Sequence, residues 1–578
     1  MRKPMRVAAL LLATVMLSGC GVTPTETVDE ERSEKNAPVV AYVPLDDRPN
    51  NAECMEYLAQ SLGYELLMPE TDVFATRLNN QPLNSNGTRY GDRGAIYEWL
   101  KECEAAGCDR YIIFMDQLLS GGLVNSRAMT ESVPITIESD MLMDETSLMQ
   151  SMIEFLGSDG NNRVFLLDTV MRLAPTVDYE QWTLEDYKNV RQWASTARMK
   201  TENEPEAIME GYCIGVDGEE ISHDDYGISA DTLNEYLKAR QRKMKFTDEM
   251  FGMLKNYDGV FNVLMGIDDS SEENCIQKNE IEYFESCLRE NDALISGVDD
   301  MGYKALAKLY LEENDWQGSA ASVQYFGGNE NIPSSAYDFR PLNEVIGEHF
   351  DYFKLTNSQD AELCFIVLTT PADESQKKAY IKSFFEAIDS AFKADKAVVL
   401  MDASNGAYGK ELRNKFVGNV ELGKLISYAG TLDLANLTGV AVSHGVSRYA
   451  LLKNGDETKA TQRGFERCMA DVLVKDLCYR TVVRAETTDY VVNAGGNPDN
   501  FYNPKIDESD ILDYAVRRLD KLTPKLIKNL YSSNMITALE PYDEVGWGGI
   551  ELSNYRFPWH RAFELTFDVK VGNVSTVH

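Results

Sequence analysis

Short, continuous runs of apolar residues alternate with amphipathic helical patterns through the first half of the chain. Each run is bounded by turn residues and followed by a polar or acidic loop, which is typical of a strand buried on both faces. The predicted strands occupy residues 39–45, 64–68, 109–115, 163–167, 260–267, 291–298 and 321–326. Buried strands that alternate with helices predict an α/β fold, a parallel sheet with crossover helices.

The number of these strand–helix units favours a (β/α)8 barrel, regular or irregular. An open, doubly wound sheet fits the alternation nearly as well, and in both folds ligands bind at the carboxyl ends of the strands. This N-terminal α/β catalytic domain is predicted at residues 38–340. A second α/β region is predicted at 341–460, and residues 461–578 are predicted to form a helical region with a C-terminal β segment.

The first nineteen residues have the pattern of a lipoprotein signal peptide, with basic residues before an apolar core that is too short to span a bilayer. Leu17-Ser18-Gly19-Cys20 resembles a lipobox, in which Cys20 would carry the lipid. Residues 20–37 are polar, without apolar periodicity, and predict a flexible tether. We therefore expect the protein on the extracytoplasmic face of the cell membrane, in contact with the membrane through this N-terminal lipid only.

The chain is strongly acidic, with a formal net charge of -37 over 578 residues. Loss of Arg2, Lys3 and Arg6 with the signal peptide would take this charge from -37 to -40. Such a surface repels nucleic acid, so no nucleic-acid partner is expected, and neutral or cationic ligands are favoured. The nine cysteines after Cys20 are scattered and odd in number, and the five histidines are dispersed. These counts predict neither a disulfide scaffold nor a His-based zinc site.

Charged and amide side chains recur where predicted strands end. The run at 260–267 ends in Asp268 and Asp269, an adjacent pair that we take as the candidate catalytic residues. Because the carboxyl ends of parallel strands meet at one edge of a sheet, we expect other strand-end residues to converge with this pair. The predicted substrate-binding residues are Asp46, Asp47, Arg48, Asp116, Arg127, Arg172, Asp300, Asn405 and Asn436.

Several of these motifs give the chain a resemblance to DUF4127, a bacterial family of unknown function. The chain departs from the family pattern at residues 431–433, where the resemblance implies Trp-Asn-Thr and the sequence has Thr431-Leu-Asp433. The family name implies no chemistry, so function has to be argued from the residues. The motifs that carry the resemblance span nearly the whole chain after the tether, and in order they are Pro44-Leu-Asp46-Asp47-Arg48-Pro49, Asp116 with Gly121-Gly122-Leu-Val-Asn-Ser-Arg127, Met171-Arg172, Gly266-Ile-Asp268-Asp269, Gly297-Val-Asp-Asp300, Asp402 with Asn405-Gly406, Tyr428-Ala-Gly430 with Asn436, and Pro558-Trp559 with Arg561 and Phe563-Glu564.

A retaining glycoside hydrolase is the first functional hypothesis. The adjacent acids resemble those of barrel enzymes that act on 2-acetamido sugars, in which the acetamido oxygen of the substrate attacks the anomeric carbon. On that scheme Asp268 would orient the acetamido group and Asp269 would protonate the leaving oxygen. The other predicted site residues would bind the hydroxyls of a carbohydrate or similar small polar substrate, and no cofactor is expected.

Two alternatives remain open from the sequence. Asp46, Asp47, Asp116, Asp268, Asp269 and Asp300 could supply oxygen ligands to a divalent cation in a metal-dependent hydrolase. A non-catalytic lipoprotein that binds a glycan or another solute would also use a cleft lined by these side chains. A Ser-His-Asp hydrolase is disfavoured because the sequence has no G-x-S-x-G motif.

Overall fold

A computed structural model describes residues 37–137, 141–257, 259–271, 274–333, 335, 337–431, 433–502, 505–537 and 544–572. The predicted signal peptide, Cys20 and all but the last residue of the predicted tether lie outside the described residues. Within the described part of the chain, no helix combines the length and the apolar character that crossing a membrane would require.

Six strands from the first half of the chain form one parallel sheet, in the order β2-β1-β3-β4-β5-β6. Their apolar side chains are buried on both faces, as the continuous runs predict: Val40 and Tyr42 face one core, whereas Ala41 and Val43 face another. The strands are β1 (Val39–Val43), β2 (Glu65–Leu67), β3 (Arg110–Phe114), β4 (Arg163–Val170), β5 (Phe261–Ile267) and β6 (Ala293–Ser296).

A second parallel sheet follows, and its order β8-β7-β9-β10-β11 repeats the beginning of the first. The described parallel strands therefore form two open, doubly wound sheets, the alternative expectation, and not one barrel. The first sheet does not close into a barrel, because β7 pairs with β8 and β9 of the second sheet. The sequence analysis had placed β7 in the first domain. The strands are β7 (Ser319–Phe326), β8 (Leu355–Asn357), β9 (Leu363–Thr369), β10 (Ala397–Ala403) and β11 (Ser427–Gly430).

Helices connect the strands of both sheets and cover their faces. The longer helices of the first sheet are Glu53–Ser61, Arg93–Ala105, Glu145–Gly157, Leu184–Ala194, Ala230–Leu254, Lys278–Cys287 and Met301–Glu313. Those of the second sheet are Leu342–Tyr352, Lys377–Lys393, Gly409–Asn419 and Leu434–Asn454. Shorter helices are Thr71–Phe74, Met115–Ser120, Leu123–Ser126 and Pro205–Glu210.

The C-terminal region packs on the outer face of the second sheet. Its helices are Lys459–Val474, a π-helical continuation at Lys475–Val483, Arg484–Asn493, Glu508–Leu519 and Thr523–Tyr531. Two antiparallel strand pairs follow, Asn534–Ile536 with Glu544–Gly546 and Ile550–Arg556 with Thr566–Val571, so the predicted β segment is present. The turn between the last two strands reaches back to the first sheet, where Trp559 Nε1 donates to Asp47 Oδ1 at 2.8 Å.

One shared hydrophobic core joins the two sheets. It contains Tyr42 and Phe114 from the first sheet and Phe365 and Met401 from the second, with the helix Met301–Glu313 packed between. Cores on the outer faces of the two sheets complete a layered arrangement. Because each sheet needs the shared layer to cover one apolar face, the two are held together and their strand ends stay close.

The shared layer contains an ion pair that is wholly buried. Lys304 Nζ lies 2.8 Å from Asp300 Oδ2, and His349 Nε2 lies 3.7 Å from the same oxygen. The helix Leu434–Asn454 passes so close that a Cβ atom on Gly439 would lie 1.4 Å from that Asp300 oxygen. The helix Leu434–Asn454 can therefore approach this ion pair because Gly439 has no side chain.

All nine cysteines of the described chain are free thiols, including Cys103 and Cys108. The odd, scattered cysteine pattern of the sequence is consistent with this state.

Substitution of Gly439 by alanine tests the shared layer. We expect Gly439→Ala to lower the free energy of unfolding by about 3 kcal/mol, because the new methyl group displaces one member of a buried ion pair. Chemical denaturation followed by circular dichroism measures the change. Gly252→Ala is the matched control, since nothing lies within 4 Å of its added Cβ. That substitution should raise stability slightly through helix propensity, and equal effects of the two changes would contradict the prediction.

Candidate functional site

One pocket lies where the carboxyl ends of the two sheets converge. It encloses about 620 Å³ of empty space, counting its open mouth. A crevice outside the carboxyl ends of the strands is the usual ligand position in open α/β sheets. The charged and amide side chains that line it are Arg48, Arg127, Arg172, Asp268, Asp269, Asp299, Asp338, Asp433 and Asn436.

Arg48 forms the wall below the end of β1 and joins two carboxylates. Its Nη1 donates to Asp299 Oδ2 at 2.7 Å and its Nη2 donates to Asp299 Oδ1 at 2.5 Å. Its Nε donates to Asp46 Oδ1 at 3.0 Å, and Asn51 Nδ2 donates to the same oxygen at 2.9 Å. Asp46 therefore lies behind the pocket and fixes Arg48, whereas Asp299 faces the pocket.

The Asp268–Asp269 pair at the end of β5 is held by two arginines. Arg127 donates to Asp268 Oδ2 through Nε at 2.9 Å and also through Nη2. Asp268 Oδ1 accepts from the backbone N–H of Asp269 at 2.9 Å. Arg172 Nη1 donates to Asp269 Oδ2 at 3.3 Å, and backbone carbonyls of residues 174 and 175 fix the rest of that guanidinium. Asp268 is buried, but Asp269 keeps a side-chain exposure of 36%.

Asp433 reaches the pocket from the opposite sheet. It follows β11 and is the N-cap of the helix Leu434–Asn454, where its Oδ1 accepts from the backbone N–H of Asn436 at 3.2 Å. Asn436 Nδ2 donates to the other oxygen at 2.8 Å, while Asn436 Oδ1 is buried without a hydrogen-bond partner among the described residues. Asp433 is exposed to solvent through the pocket, and no cationic side chain of the described chain lies within salt-bridge distance of it.

The pocket has more carboxylates than guanidinium groups, and two of its acids have raised pKa values. Although Asp433 reaches solvent through the pocket, the surrounding protein atoms partly desolvate its carboxyl group, and this desolvation together with the negative charges of Asp269 and Asp299 raises the pKa of Asp433 to about 7. Burial also raises the pKa of Asp299 to about 6, against the attraction of Arg48. Behind the pocket, burial opposes the charge of Asp46, but Arg48 holds the pKa of Asp46 below its ordinary value. Two carboxyl groups at this site therefore have pKa values that are raised toward neutral pH.

Aromatic side chains border the charged surface. Tyr337 and Phe339, in the loop after β7, line the pocket, and the ring of Tyr337 lies 4.2 Å from the guanidinium carbon of Arg191. Tyr337 is 42% exposed. An exposed ring beside hydrogen-bonding groups provides a surface on which an apolar face of a ligand can stack.

Five of the predicted site residues lie elsewhere, among them Asp46, which fixes Arg48 from behind the pocket. Asp47 is buried behind the pocket, where it accepts hydrogen bonds from Trp559 and from the backbone N–H of residue 76. Burial together with the negative charge of Asp46 raises the pKa of Asp47 to about 6. Asp116 belongs to a separate buried cluster, where Lys243 Nζ lies 2.8 Å from its Oδ1. Asp300 points into the shared core. Asn405 lies in an exposed loop with a left-handed backbone conformation, φ 48°.

The pocket also contains three acids that the sequence analysis did not select, Asp299, Asp338 and Asp433. Asp299 was passed over in favour of Asp300, because the sequence does not reveal which of these two adjacent side chains faces the cleft: Asp299 lines the pocket, whereas Asp300 is buried beside Lys304. Asp433 was noted only as a departure from a family pattern. An acidic N-cap directly after a buried strand was the available signal, because it places a carboxylate at the sheet's carboxyl edge.

A metal centre is not evident in the described part of the chain: no group of three or more His, Cys, Asp or Glu side chains there is arranged to hold a metal ion. The carboxylates of Asp299, Asp268 and Asp269 are instead paired with Arg48, Arg127 and Arg172. The ligand set that the metal-dependent alternative listed is divided between the pocket, the Lys243 cluster and the core.

Comparison with known proteins adds a family and no activity. The model of a family described as protein of unknown function, DUF4127, matches residues 40–568. No curated protein and no solved structure matches the chain.

The protonation of Asp433 can be read from stability. Because its pKa is raised in the folded protein, the folded state binds a proton that the unfolded state has lost, so stability falls as the pH rises from about 4 to about 7. Asp433→Asn keeps a good N-cap but cannot titrate. We expect the melting temperature of Asp433→Asn, relative to the unaltered protein, to rise across that window and then level off.

Asp144→Asn is the control for this measurement. Asp144 is also an N-cap, but the hydrogen bond from the backbone N–H of Ser147 lowers its pKa. Its contribution is present above its ordinary pKa and is lost only at lower pH, so the difference for Asp144→Asn should be flat from about pH 5 upward. A flat difference for Asp433→Asn as well would show that the carboxyl is not protonated near neutral pH.

Proposed function

The chain belongs to the DUF4127 family, whose name states no activity, and we propose from its pocket that it is a glycoside hydrolase in which Asp433 donates the proton and Asp269 is the basic carboxylate. One observation carries the proposal: two reachable carboxyl groups from opposite sheets share a pocket and have opposite electrostatic environments. Asp433 has no cationic partner among the described residues, while Asp269 has Arg172 at 3.3 Å. Environments that separate two carboxyl groups in this way assign the acid and the base.

Asp433 suits the role of general acid. A proton donor works best when its pKa is near the operating pH, and burial beside Asp269 and Asp299 raises the pKa of Asp433 to about 7. Asn436 fixes the side chain by donating to one of its oxygens at 2.8 Å. The helix cap gives the carboxyl a defined position on a rigid element. Protonation of a glycosidic oxygen is the step for which such a group is required.

Asp269 suits the role of base or nucleophile. The guanidinium of Arg172 stabilises negative charge on this carboxylate, which opposes the role of proton donor that the sequence analysis gave it. Its exposure leaves the carboxylate accessible to water or to an anomeric carbon. On this basis we reassign the acid from Asp269 to Asp433.

Asp268 fits a positioning role better than direct contact with an acetamido group. Both of its oxygens already accept hydrogen bonds, one from Arg127 and one from the backbone of Asp269. The substrate-assisted scheme needs a carboxylate oxygen that is available to the substrate's amide. We therefore favour direct action of the Asp269–Asp433 pair over participation of a 2-acetamido group.

The remaining groups suit a polyhydroxylated ligand. Asn436 Oδ1 is an unused acceptor, Asp299 is partly exposed, and Arg48 and Arg172 offer donors at fixed positions, so hydroxyl groups can be bound as both donors and acceptors. Tyr337 offers a ring for stacking. Attachment of this enzyme to the membrane through Cys20 remains a prediction from the sequence.

The leaving group separates the two catalytic roles. Asp433→Asn should lower kcat/KM by about 10²–10⁴-fold on glycosides with sugar or alkyl leaving groups, which need protonation. On p-nitrophenyl glycosides, whose leaving group needs little protonation, the loss should be about tenfold or less. Asp269→Asn should lose about 10²-fold or more on both substrate classes. Steady-state kinetics across a panel of glycosides provides the measurement, with Asp144→Asn as the neutral control.

If the unaltered protein hydrolysed no glycoside faster than the Asp269→Asn/Asp433→Asn double variant does, the result would contradict the proposal. Calorimetric binding of the same sugars by that inactive variant would then identify the protein as the glycan-binding alternative.

The pH profile gives an independent test of Asp433. Activity requires its protonated form, so kcat/KM on a sugar leaving group should fall on the alkaline side with an apparent pKa of about 7. The groups that set this value are Asp269, Asp299 and Asn436, which all face Asp433. Asp433→Asn should remove the alkaline fall, while Asp144→Asn should leave it in place. An alkaline fall that persists in Asp433→Asn would assign the proton to another group.

A further inference from the structure

The turn between the last two strands lies beside the pocket and has no role in the proposed reaction. Its Trp559 ring lies 5.0 Å from the guanidinium carbon of Arg48, a pocket-wall residue, and 4.3 Å from that of Arg561. Trp559 is itself fixed by the hydrogen bond to Asp47. One aromatic ring therefore connects Arg561 to the pocket wall.

Arg561 and Arg484 surround the ring of Phe563 without carboxylate partners. Their guanidinium carbons lie 5.3 Å and 5.7 Å from the centre of that ring. No carboxylate oxygen of the described chain lies within 4.0 Å of either group, and Arg561 Nε is a buried donor without a hydrogen-bond partner there. By contrast, Arg48 and Arg480 nearby are both paired with aspartates.

The unpaired guanidinium groups are conspicuous in a chain with 93 acidic and 56 basic residues. Burial and the neighbouring positive charge of Arg48 together lower the pKa of Arg561 to about 10. Burial and the charge of Arg480 likewise lower the pKa of Arg484. Glu564 attracts both from a distance, but its nearest cation is Arg480, at 3.7 Å. Neither Arg561 nor Arg484 is therefore in a salt bridge within the described chain, and acidic residues attract them only from a distance.

We infer that Arg561, Arg484 and Phe563 form a subsite for an anionic sugar residue, next to the pocket. Guanidinium groups bind the planar or tetrahedral oxygens of carboxylate and sulfate through paired N–H donors. Phe563 is 47% exposed, and an exposed ring packs against the apolar face of a sugar. The inference rests on the proposed function and narrows its substrate to an acidic saccharide, bound with its charged residue at this turn and its scissile bond at Asp433.

Binding measured without turnover tests the subsite separately from the reaction. The full chain carrying Asp433→Asn is titrated calorimetrically with trigalacturonate, with a sulfated galactose trisaccharide and with neutral galactotriose. Arg561→Gln is then added, and Arg484→Gln is added in a second variant. Arg163→Gln is the matched control, because Arg163 is an exposed arginine at the amino end of β4, away from the strand ends that form the pocket.

We expect at least one acidic trisaccharide to bind, and Arg561→Gln or Arg484→Gln to weaken it about tenfold or more, the value of one charge-assisted hydrogen bond. Whichever acidic probe binds more tightly identifies the anion as carboxylate or sulfate. Binding of galactotriose should change less than about twofold, and Arg163→Gln should change neither.

Three outcomes would overturn the inference: no binding of either acidic trisaccharide, no weakening by the arginine substitutions, or an equal weakening of neutral and acidic ligands. Melting temperatures of the variants show whether an equal loss reflects unfolding. If neutral glycosides are hydrolysed with the dependence on Asp433 described above while acidic trisaccharides fail to bind, the proposed function stands and the subsite does not.

Discussion

Parallel pairing is the constraint on which the rest of this structure depends. A parallel strand must return to its starting edge through a crossover, so every strand of a sheet ends on the same side. Both sheets here are parallel throughout, and a shared core with Phe365 and Phe114 fixes them against each other. Their carboxyl edges therefore meet at one crevice. Side chains that are more than two hundred residues apart, such as Arg48 and Asp299, become hydrogen-bonded neighbours for this reason.

The crevice gathers more negative charge than its arginines balance. Three arginines each donate to one aspartate of the wall and hold it in place. The unpaired carboxylate, Asp433, absorbs the excess, because its neighbours oppose a further negative charge. Asp433 thus differs from the other carboxylates because acids outnumber arginines in the crevice and because no arginine of the described chain pairs with it. The turn at Trp559 has guanidinium groups without salt-bridge partners among the described residues, so on our proposal the two adjoining surfaces bind different parts of one ligand.

The sequence predicted those features that depend on local pattern. Continuous apolar runs located the buried strands. Strand-end acids pointed to the right edge of the sheets. Local pattern does not determine which strands pair, so barrel and open sheet remained alternatives until β7 was seen to join the second sheet. Nor does it reveal a distant partner: Asp116 is drawn into a cluster by Lys243, which is 127 residues away in sequence.

Position 433 shows how a fold and its chemistry can be separated. The helix after β11 needs an N-cap, and either aspartate or threonine satisfies that need, since both accept a hydrogen bond from the following backbone N–H groups. The resemblance to DUF4127 implies threonine at this position, where this chain has aspartate. Threonine has no proton to give near neutral pH, so the substitution adds an acid to the pocket without a change in the backbone. Among relatives with threonine at this position, Asp299 would be the remaining acid with a raised pKa, but Arg48 donates to both of its oxygens. The proton donation that we propose for this chain therefore depends on a side chain that its fold does not require.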